Sequence, residues 1–259
     1  MTKGELRMAA PEFDAVFASS ADEIRAAQRL RYDVFVEELG GEGEGVDHRL
    51  RLEADEFDAF SRHLLLLDRT KADPVVGVYR LMDMDGAARA GRFYSEREYD
   101  LTPLRGSGAP LLELGRSCLR KEYRGGPGMH HLWSALARHV TEREIDVLFG
   151  VASFHGTDTE ALAPSLSLLH HRHLAPAELR VTAKEPSAQM GVLDIAEIDR
   201  RQAMVRVPAL IKAYLRLGGF VGQGAYLDHA FNTTDVCLIL PVAQMNARQK
   251  RLYLGAERQ

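Results

Sequence analysis

The chain of 259 residues carries 33 Lys+Arg against 37 Asp+Glu, a formal net charge of −4, with 46% hydrophobic and 27% charged residues. These ordinary globular values exclude disordered, collagen-like and coiled-coil chains, and the mild acidity argues against an electrostatic grip on nucleic acid. The longest apolar stretch, from Val236 to Ala243, falls far short of the roughly 20 residues a membrane-spanning helix needs.

The first residues, Met1 to Arg7, lack the apolar segment of a secretory signal, so a cytoplasmic chain is expected. Phe13 to Ala18 reads as a strand, and Ser20 opens a helix whose apolar positions include Ile24, Ala27, Leu30, Val34 and Phe35. Gly40-Gly41 should stop it, and the glycine-spaced run from Gly41 to Gly45 predicts a mobile loop. His63 to Leu67 and Val75 to Leu81 read as strands joined through a turn at Lys71 to Pro74. Leu111 to Leu119 is a further strand, followed by Gly125, Gly126 and Gly128 and a helix from about Met129 to Arg143. Asp146 to Ala152 is an apolar strand; helices through Leu162–Leu169 and Pro208–Leu217 and a strand from Asp235 to Leu240 complete the pattern. Cys118 and Cys237 both lie in apolar surroundings, as reduced core thiols do.

Charge is segregated along the chain. Between Glu37 and Asp58 nine acids face only Arg49 and Arg51, whereas Arg116, Arg120, Lys121 and Arg124 make a basic stretch broken by Glu122. A solvated face explains either run, and so does a site that meets a cationic and an anionic partner. The glycines before the helix at Met129 leave backbone amides free at a helix N-terminus, an arrangement suited to a phosphate or pyrophosphate. The spacing fits neither the phosphate loop ending in Gly-Lys-Ser/Thr nor the dinucleotide fingerprint. Glu113 interrupts the apolar run Leu111-Leu112-Glu113-Leu114 just upstream of that loop. A carboxyl buried in a sheet has a raised pKa, so Glu113 could accept a proton from an ammonium; a structural pair with Arg116 or Arg80 would perturb it as well. Asp55 and Asp58 could hold the cationic end of a substrate or could pair with Arg31.

The glycine turn resembles the pyrophosphate-arm loop of the GNAT N-acetyltransferase superfamily. Arg31 with Phe35, Asp55-Glu56-Phe57-Asp58, Arg80 and Glu113-Leu114-Gly115-Arg116 occur in the order of a motif set in the acyl-homoserine lactone synthases. The later segments Val151–Asp158, Leu169–Pro176, Pro208–Gly218 and Gly224–Val236 look instead like those of the ornithine lipid N-acyltransferases, and the likeness runs from about Arg31 to Pro241. The resemblance implies a single α/β GNAT-like domain: a mixed twisted sheet flanked by helices, with a core of about 13–155 and a C-terminal helical and strand elaboration of about 156–259. It implies transfer of a 3-hydroxyacyl chain from acyl carrier protein to the α-amine of L-ornithine, giving lyso-ornithine lipid, with a separate O-acyltransferase acting afterwards. Carried over residue by residue, it implies catalytic roles for Glu113, Asp58 and Arg116. It implies substrate contacts from Arg31, Phe35, Asp55, Arg80 and Ser153, with Phe35 as core or acyl-tunnel wall. It implies carrier or phosphopantetheine contacts from Arg120, Lys121, Arg124, Gly125, Gly126 and Gly128. The thioester on the carrier protein is a co-substrate; no bound cofactor and no metal is expected.

Other readings stay beside this one. The acceptor could be glutamine or lysine, the enzyme could be a lactone synthase using S-adenosylmethionine, or the chain could be a non-catalytic module that binds carrier protein or lipid. His130, His131, His170, His171 and His173 lack metal-site spacing. Ser153 is not in a nucleophile elbow, and Asp228 and Asp235 bracket a turn they could cap. Neither cysteine nor serine sits in an activating context, so direct attack of the amine on the thioester is expected. The Ala243–Leu254 stretch mixes apolar Met245, Leu252, Tyr253 and Leu254 with Arg248, Lys250 and Arg251. It fits a helix packed on the core with a solvated basic face, and beside that reading a transient contact with the inner membrane.

Overall fold

The computed structural model describes residues 10–245. In chain order these form β1 (Phe13–Phe17), α1 (Ala21–Arg31) continued by a π-helical stretch Tyr32–Glu38, and the short hairpin β2 (Val46–Asp47) and β3 (Leu52–Glu53). Next come a 3-10 turn Glu56–Phe60, β4 (Arg62–Asp68), β5 (Val75–Asp83), α2 (Met84–Ala90), a 3-10 turn Tyr94–Arg97, β6 (Tyr99–Asp100), α3 (Thr102–Gly106) and β7 (Leu111–Leu119). They are followed by α4 (Gly128–Glu142), β8 (Val147–His155), α5 (Thr159–His173), β9 (Thr182–Ala183), β10 (Ser187–Ala188), α6 (Arg200–Arg206), α7 (Ala209–Arg216), β11 (Phe220–Val221), β12 (Ala225–Asp228) and β13 (Thr233–Pro241).

One mixed sheet runs in the order β1-β4-β5-β7-β8-β13-β12-β10, with β11 also on β13. Its two faces explain the unbroken apolar strands. Leu64 and Leu66 point into the cluster covered by Leu132 and Leu136 of α4, while Leu65 and Leu67 point into the cluster covered by Ala27 and Leu30 of α1. Side chains buried on both faces leave no reason for polar alternation.

α1 starts as its sequence predicts, with Ser20 and Glu23 forming a reciprocal cap. The helix does not continue as one α-helix to Gly40, because after Arg31 it widens to π geometry. The Gly41–Gly45 run is held in place rather than free. The Gly41 amide donates to the Phe35 carbonyl at 2.8 Å and that of Glu42 to the Ala230 carbonyl at 3.2 Å. A side chain at Gly41 would start 2.6 Å from the Phe231 ring, so glycine here serves close packing. Gly128 likewise packs its backbone against Leu66, where a Cβ would sit at 3.0 Å. Gly125 takes a left-handed φ of 75°.

The C-terminal strand β13 is central to the sheet, pairing with β8 over nine residues from Thr233↔His155 to Pro241↔Val147. Cys118 and Cys237 are free and buried, and burial pushes the Cys118 thiol up to about 12. Among the described residues no helix is long and apolar enough to cross a membrane. Most of the Ala243–Leu254 stretch lies outside the described residues.

Candidate active site

The site begins where two neighbouring strands part. β7 and β8 are the parallel pair of this sheet, yet their register covers only Leu111↔Val147, Leu112↔Leu148 and Glu113↔Phe149. Beyond Glu113 the strands diverge. On its other side β7 pairs with β5 through a register shift between Val78 and Arg80, and Arg116 adopts a left-handed φ of 50°. That local distortion bends β7 away from β8 and turns the side chain of Arg116 toward the hairpin carboxylates. The opening is a cavity of about 290 Å³ lined by Glu113 to Ser117 of β7 and Gly150 to Ser153 of β8. Phe35, Arg80, Tyr94, Asp228, Phe231 and Asp235 also line it.

Beside the cavity lies a buried network of three arginines and three carboxylates. Arg31, fully buried, pairs with Glu53 and, at 2.7 Å, with Asp58. Arg80 pairs with Asp55 and, at 2.9 Å, with Asp58. Arg116 donates to Glu53 at 3.1 Å and to Asp55 at 2.9 Å, and its guanidinium sits 4.6 Å from the Tyr94 ring centroid. The charges balance one for one. Burial opposes ionisation of each carboxylate, but the adjacent arginines outweigh it and hold Glu53, Asp55 and Asp58 below the usual range. Asp58, which also accepts from Gln28 at 2.9 Å, stays ionised at any working pH.

Glu113 has a different environment. It is 4% exposed and pairs with no arginine among the described residues; its two oxygens accept the backbone amides of Tyr94 at 2.8 Å and Ser95 at 2.6 Å. Burial raises its pKa against those hydrogen bonds. Glu113 is also the last β7 residue in register with β8, so it stands at the apex of the opening.

The structure gathers Phe35, Arg80, Glu113, Arg116 and Ser153 on the cavity wall. Arg31, Asp55 and Asp58 are not on it; the ion network holds them behind. Glu53, one of the nine acids of the Glu37–Asp58 run but given no site role from sequence, completes that network at 1% exposure. The basic stretch lies at the far end of β7, where Arg120 pairs with Asp73 and Arg124 grips Glu38 through both terminal nitrogens. Lys121, Gly125 and Gly126 are exposed in the turn before α4.

Sequence reasoning also passed over an acidic cluster. Asp228 caps its turn as expected, accepting the amides of Ala230 at 2.9 Å and Phe231 at 3.0 Å. Asp235 does not: it lies inside β13 opposite Ser153, 4% exposed, and burial raises its pKa to about 6 against the hydroxyls of Ser153 and Thr233. Glu98 stands beside it, and burial followed by the neighbouring Asp235 and Asp228 charges raises it well above the ordinary value. One oxygen from each of Glu98, Asp228 and Asp235 lies within 4.8 Å of the others. The histidine runs do not join this cluster.

A second cavity of about 250 Å³ shares Leu114 and Tyr214 with the first. Its other walls are Trp133, Leu136, Ala137, Val140 and Thr141 of α4, Leu148, Leu240, Val242 and Met245, almost all apolar. An acyl chain suits it.

A family profile described as acetyltransferase (GNAT) domain matches residues 30–134. The chain is 55% identical over 250 residues to the L-ornithine N(alpha)-acyltransferase of Rhodobacter capsulatus, with 95% of this chain and 96% of that one covered. It is 41% identical to the protein of the same name from Brucella abortus, with 93% and 88% covered. The chain belongs to the L-ornithine N(alpha)-acyltransferase family. It is therefore an acyltransferase. Among solved structures it is similar to the acyl-homoserine lactone synthase LasI, at 18% identity over 96% of this chain and 100% of that one, with a TM-score of 0.50. The CoA-dependent acyl-homoserine lactone synthase MesI follows at 15% identity, 95% and 97% coverage and a TM-score of 0.51. Together with the profile match, these likenesses show the GNAT fold.

Proposed function

We propose that this enzyme moves a 3-hydroxyacyl chain from the phosphopantetheine thioester of acyl carrier protein to the α-amine of L-ornithine, giving lyso-ornithine lipid. The observation that carries the reading is the parting of β7 and β8 beyond Glu113, where a cavity that carries Arg80, Glu113 and Arg116 adjoins an almost wholly apolar one through Leu114 and Tyr214, in a chain of this family. The thioester would enter through the opening, with its acyl chain in the apolar cavity and its carrier arm leading to the turn before α4. Lys121, Gly125 and Gly126 are exposed there, beside Arg120 and Arg124, in a position to meet an anionic arm and an acidic carrier.

An amino acid arrives as an ammonium and must lose a proton before it can attack. Glu113 is the proposed base. Its raised pKa gives it proton affinity, and its place at the apex of the opening puts it beside the reacting centre. The amine lone pair then attacks the thioester carbonyl to form the C–N bond, the C–S bond breaks, and the departing thiolate takes up the second proton that the nitrogen gives up on becoming an amide, so the carrier leaves as its thiol. Backbone amides of the distorted Gly115–Ser117 stretch are the proposed donors to the tetrahedral oxyanion. Arg116 positions this stretch through its pairs with Glu53 and Asp55. No covalent acyl-enzyme is needed, and both cysteine thiols are raised too far to be nucleophiles at neutral pH. Because the product carries a long acyl chain, its release suits a cytoplasmic enzyme that touches the membrane surface transiently. Incubation with 3-hydroxyacyl carrier protein and L-ornithine tests the reading: the product should carry its amide on the α-nitrogen, by mass fragmentation.

A further inference from the structure

 
The three arginines and three carboxylates beside the cavity neutralise one another, whereas the cluster of Glu98, Asp228 and Asp235 has no cation paired with it among the described residues. Glu98 and Asp235 are 3% and 4% exposed, and Glu98 Oε2 and Asp235 Oδ1 have no hydrogen-bond partner among the described residues. No ion pair among the described residues reaches any of the three carboxylates, in contrast to the balanced network around Arg31, Arg80 and Arg116. Burying carboxylates without a counterion is costly, and groups of this kind cluster at functional sites, where a ligand can supply the missing charge. Asp228 and Asp235 open onto the cavity that contains Glu113, so whatever fills the cluster is also presented to the reacting centre.

We propose that Glu98, Asp228 and Asp235 hold the side-chain ammonium of a dibasic amino-acid acceptor, and so select ornithine over neutral amino acids of the same length. This rests on the ornithine reading above. An ammonium offers three N–H donors and no acceptor. Three acceptors placed about 2.8 Å from it along tetrahedral directions lie roughly 4.6 Å apart. One oxygen from each carboxylate is within 4.8 Å of the other two, so all three are close enough together to share one ammonium. The rest of the surroundings fit an aliphatic chain ending in a charge. Phe231, held against Gly41, lines the same cavity and offers an apolar wall to the methylenes, while Ser153 and Thr233 sit beside Asp235. Glu113 is left free of this task, because both of its oxygens face the Tyr94 and Ser95 amides at another edge of the cavity. The two carboxylate sets therefore divide the substrate, one at the reacting amine and one at the side-chain end.

The test compares L-ornithine with L-norvaline, which has the same number of carbons and no side-chain ammonium, as acceptors from 3-hydroxyacyl carrier protein. Wild type should favour ornithine strongly. Asp228→Asn keeps an oxygen for the Ala230 and Phe231 amides. That variant and Glu98→Gln should each raise the ornithine KM by roughly tenfold to a hundredfold, as expected for a lost hydrogen bond to a charged group, with the carrier KM unchanged. Ornithine alone should raise the Tm of wild type and not of the variants, which gives a readout apart from turnover. If Glu98→Gln does not fold, Asp228→Asn carries the comparison. Wild type that acylates ornithine and not norvaline, with both variants unchanged in ornithine KM, would overturn this assignment and leave the function standing. Wild type that acylates a neutral amino acid and not ornithine would overturn the function and this assignment together. A divalent cation that binds tightly to wild type, is lost in Asp228→Asn and does not compete with ornithine would also overturn it.

Discussion

Replacing Asp235 with Asn should make the protein more stable at alkaline pH while impairing acceptor binding. Asp235 is 4% exposed and its pKa rises from 3.8 to about 6, first because burial disfavours the charge and then because of Asp228, against the pull of Ser153, Thr233 and Arg116. Between those two values the folded chain keeps a proton that the unfolded chain has released. Stability therefore falls as pH rises through this window, and the loss is complete somewhat above pH 6. At roughly 1.36 kcal/mol for each factor of ten in proton affinity, the ionised side chain costs about 3 kcal/mol at pH 8. Asn keeps the shape and cannot ionise, and its amide can donate to Asp228 or Glu98, which share the cluster. For a chain of this size the gain corresponds to a Tm about 5 to 10 °C higher at pH 8, shrinking to a few degrees at pH 4. Thermal unfolding of both proteins across that range, followed by circular dichroism, measures it. Equal destabilisation of the variant at pH 4 and pH 8 would refute the reasoning, because it would mean that the carboxylate is paired in the native state.

Glu113→Gln should lower kcat by roughly a hundredfold or more while the carrier KM holds, since the amide cannot take the ammonium proton; steady-state kinetics against each substrate separates the two. Lys121→Glu combined with Arg124→Glu should raise the carrier KM and flatten its dependence on salt, because the surface charge that steers association is screened over about 8 Å at physiological ionic strength. Unchanged carrier kinetics across a salt series would place docking elsewhere. Ala137→Phe, which fills the apolar cavity lined by α4 and β13, should shift preference toward shorter acyl chains; a competition between carrier thioesters of different length, read by mass, checks it.

The sheet was legible because its strands are apolar on both faces and its turns are marked by glycine and proline. Glu113 was legible for the same reason, as one acid inside an apolar run. Glu98 gave no such signal: it follows Ser95-Glu96-Arg97, a polar stretch that reads as surface, yet it is 3% exposed beside Asp228 of β12 and Asp235 of β13. Asp235 looked like a partner to Asp228 across a turn, since nothing local shows that β13 inserts beside β8 rather than at an edge. The acidic run from Glu37 to Asp58 suggested a cation site, yet Asp55 and Asp58 spend their charge on arginines 22 to 61 residues away along the chain. The long-range pairings that separate a neutralised carboxylate from an available one are set by topology, not by neighbours in sequence. The π-helical turn after Arg31 had no sequence mark either.

The most direct test of the account offers wild-type enzyme 3-hydroxyacyl carrier protein together with an equimolar mixture of the common amino acids, L-ornithine and S-adenosylmethionine, and identifies every acylated product by mass. Lyso-ornithine lipid, acylated on the α-nitrogen, should be the dominant product, with carrier thiol released in equal amount. An acyl-homoserine lactone, a neutral acylamino acid as the main product, or carrier thioester left intact would contradict it.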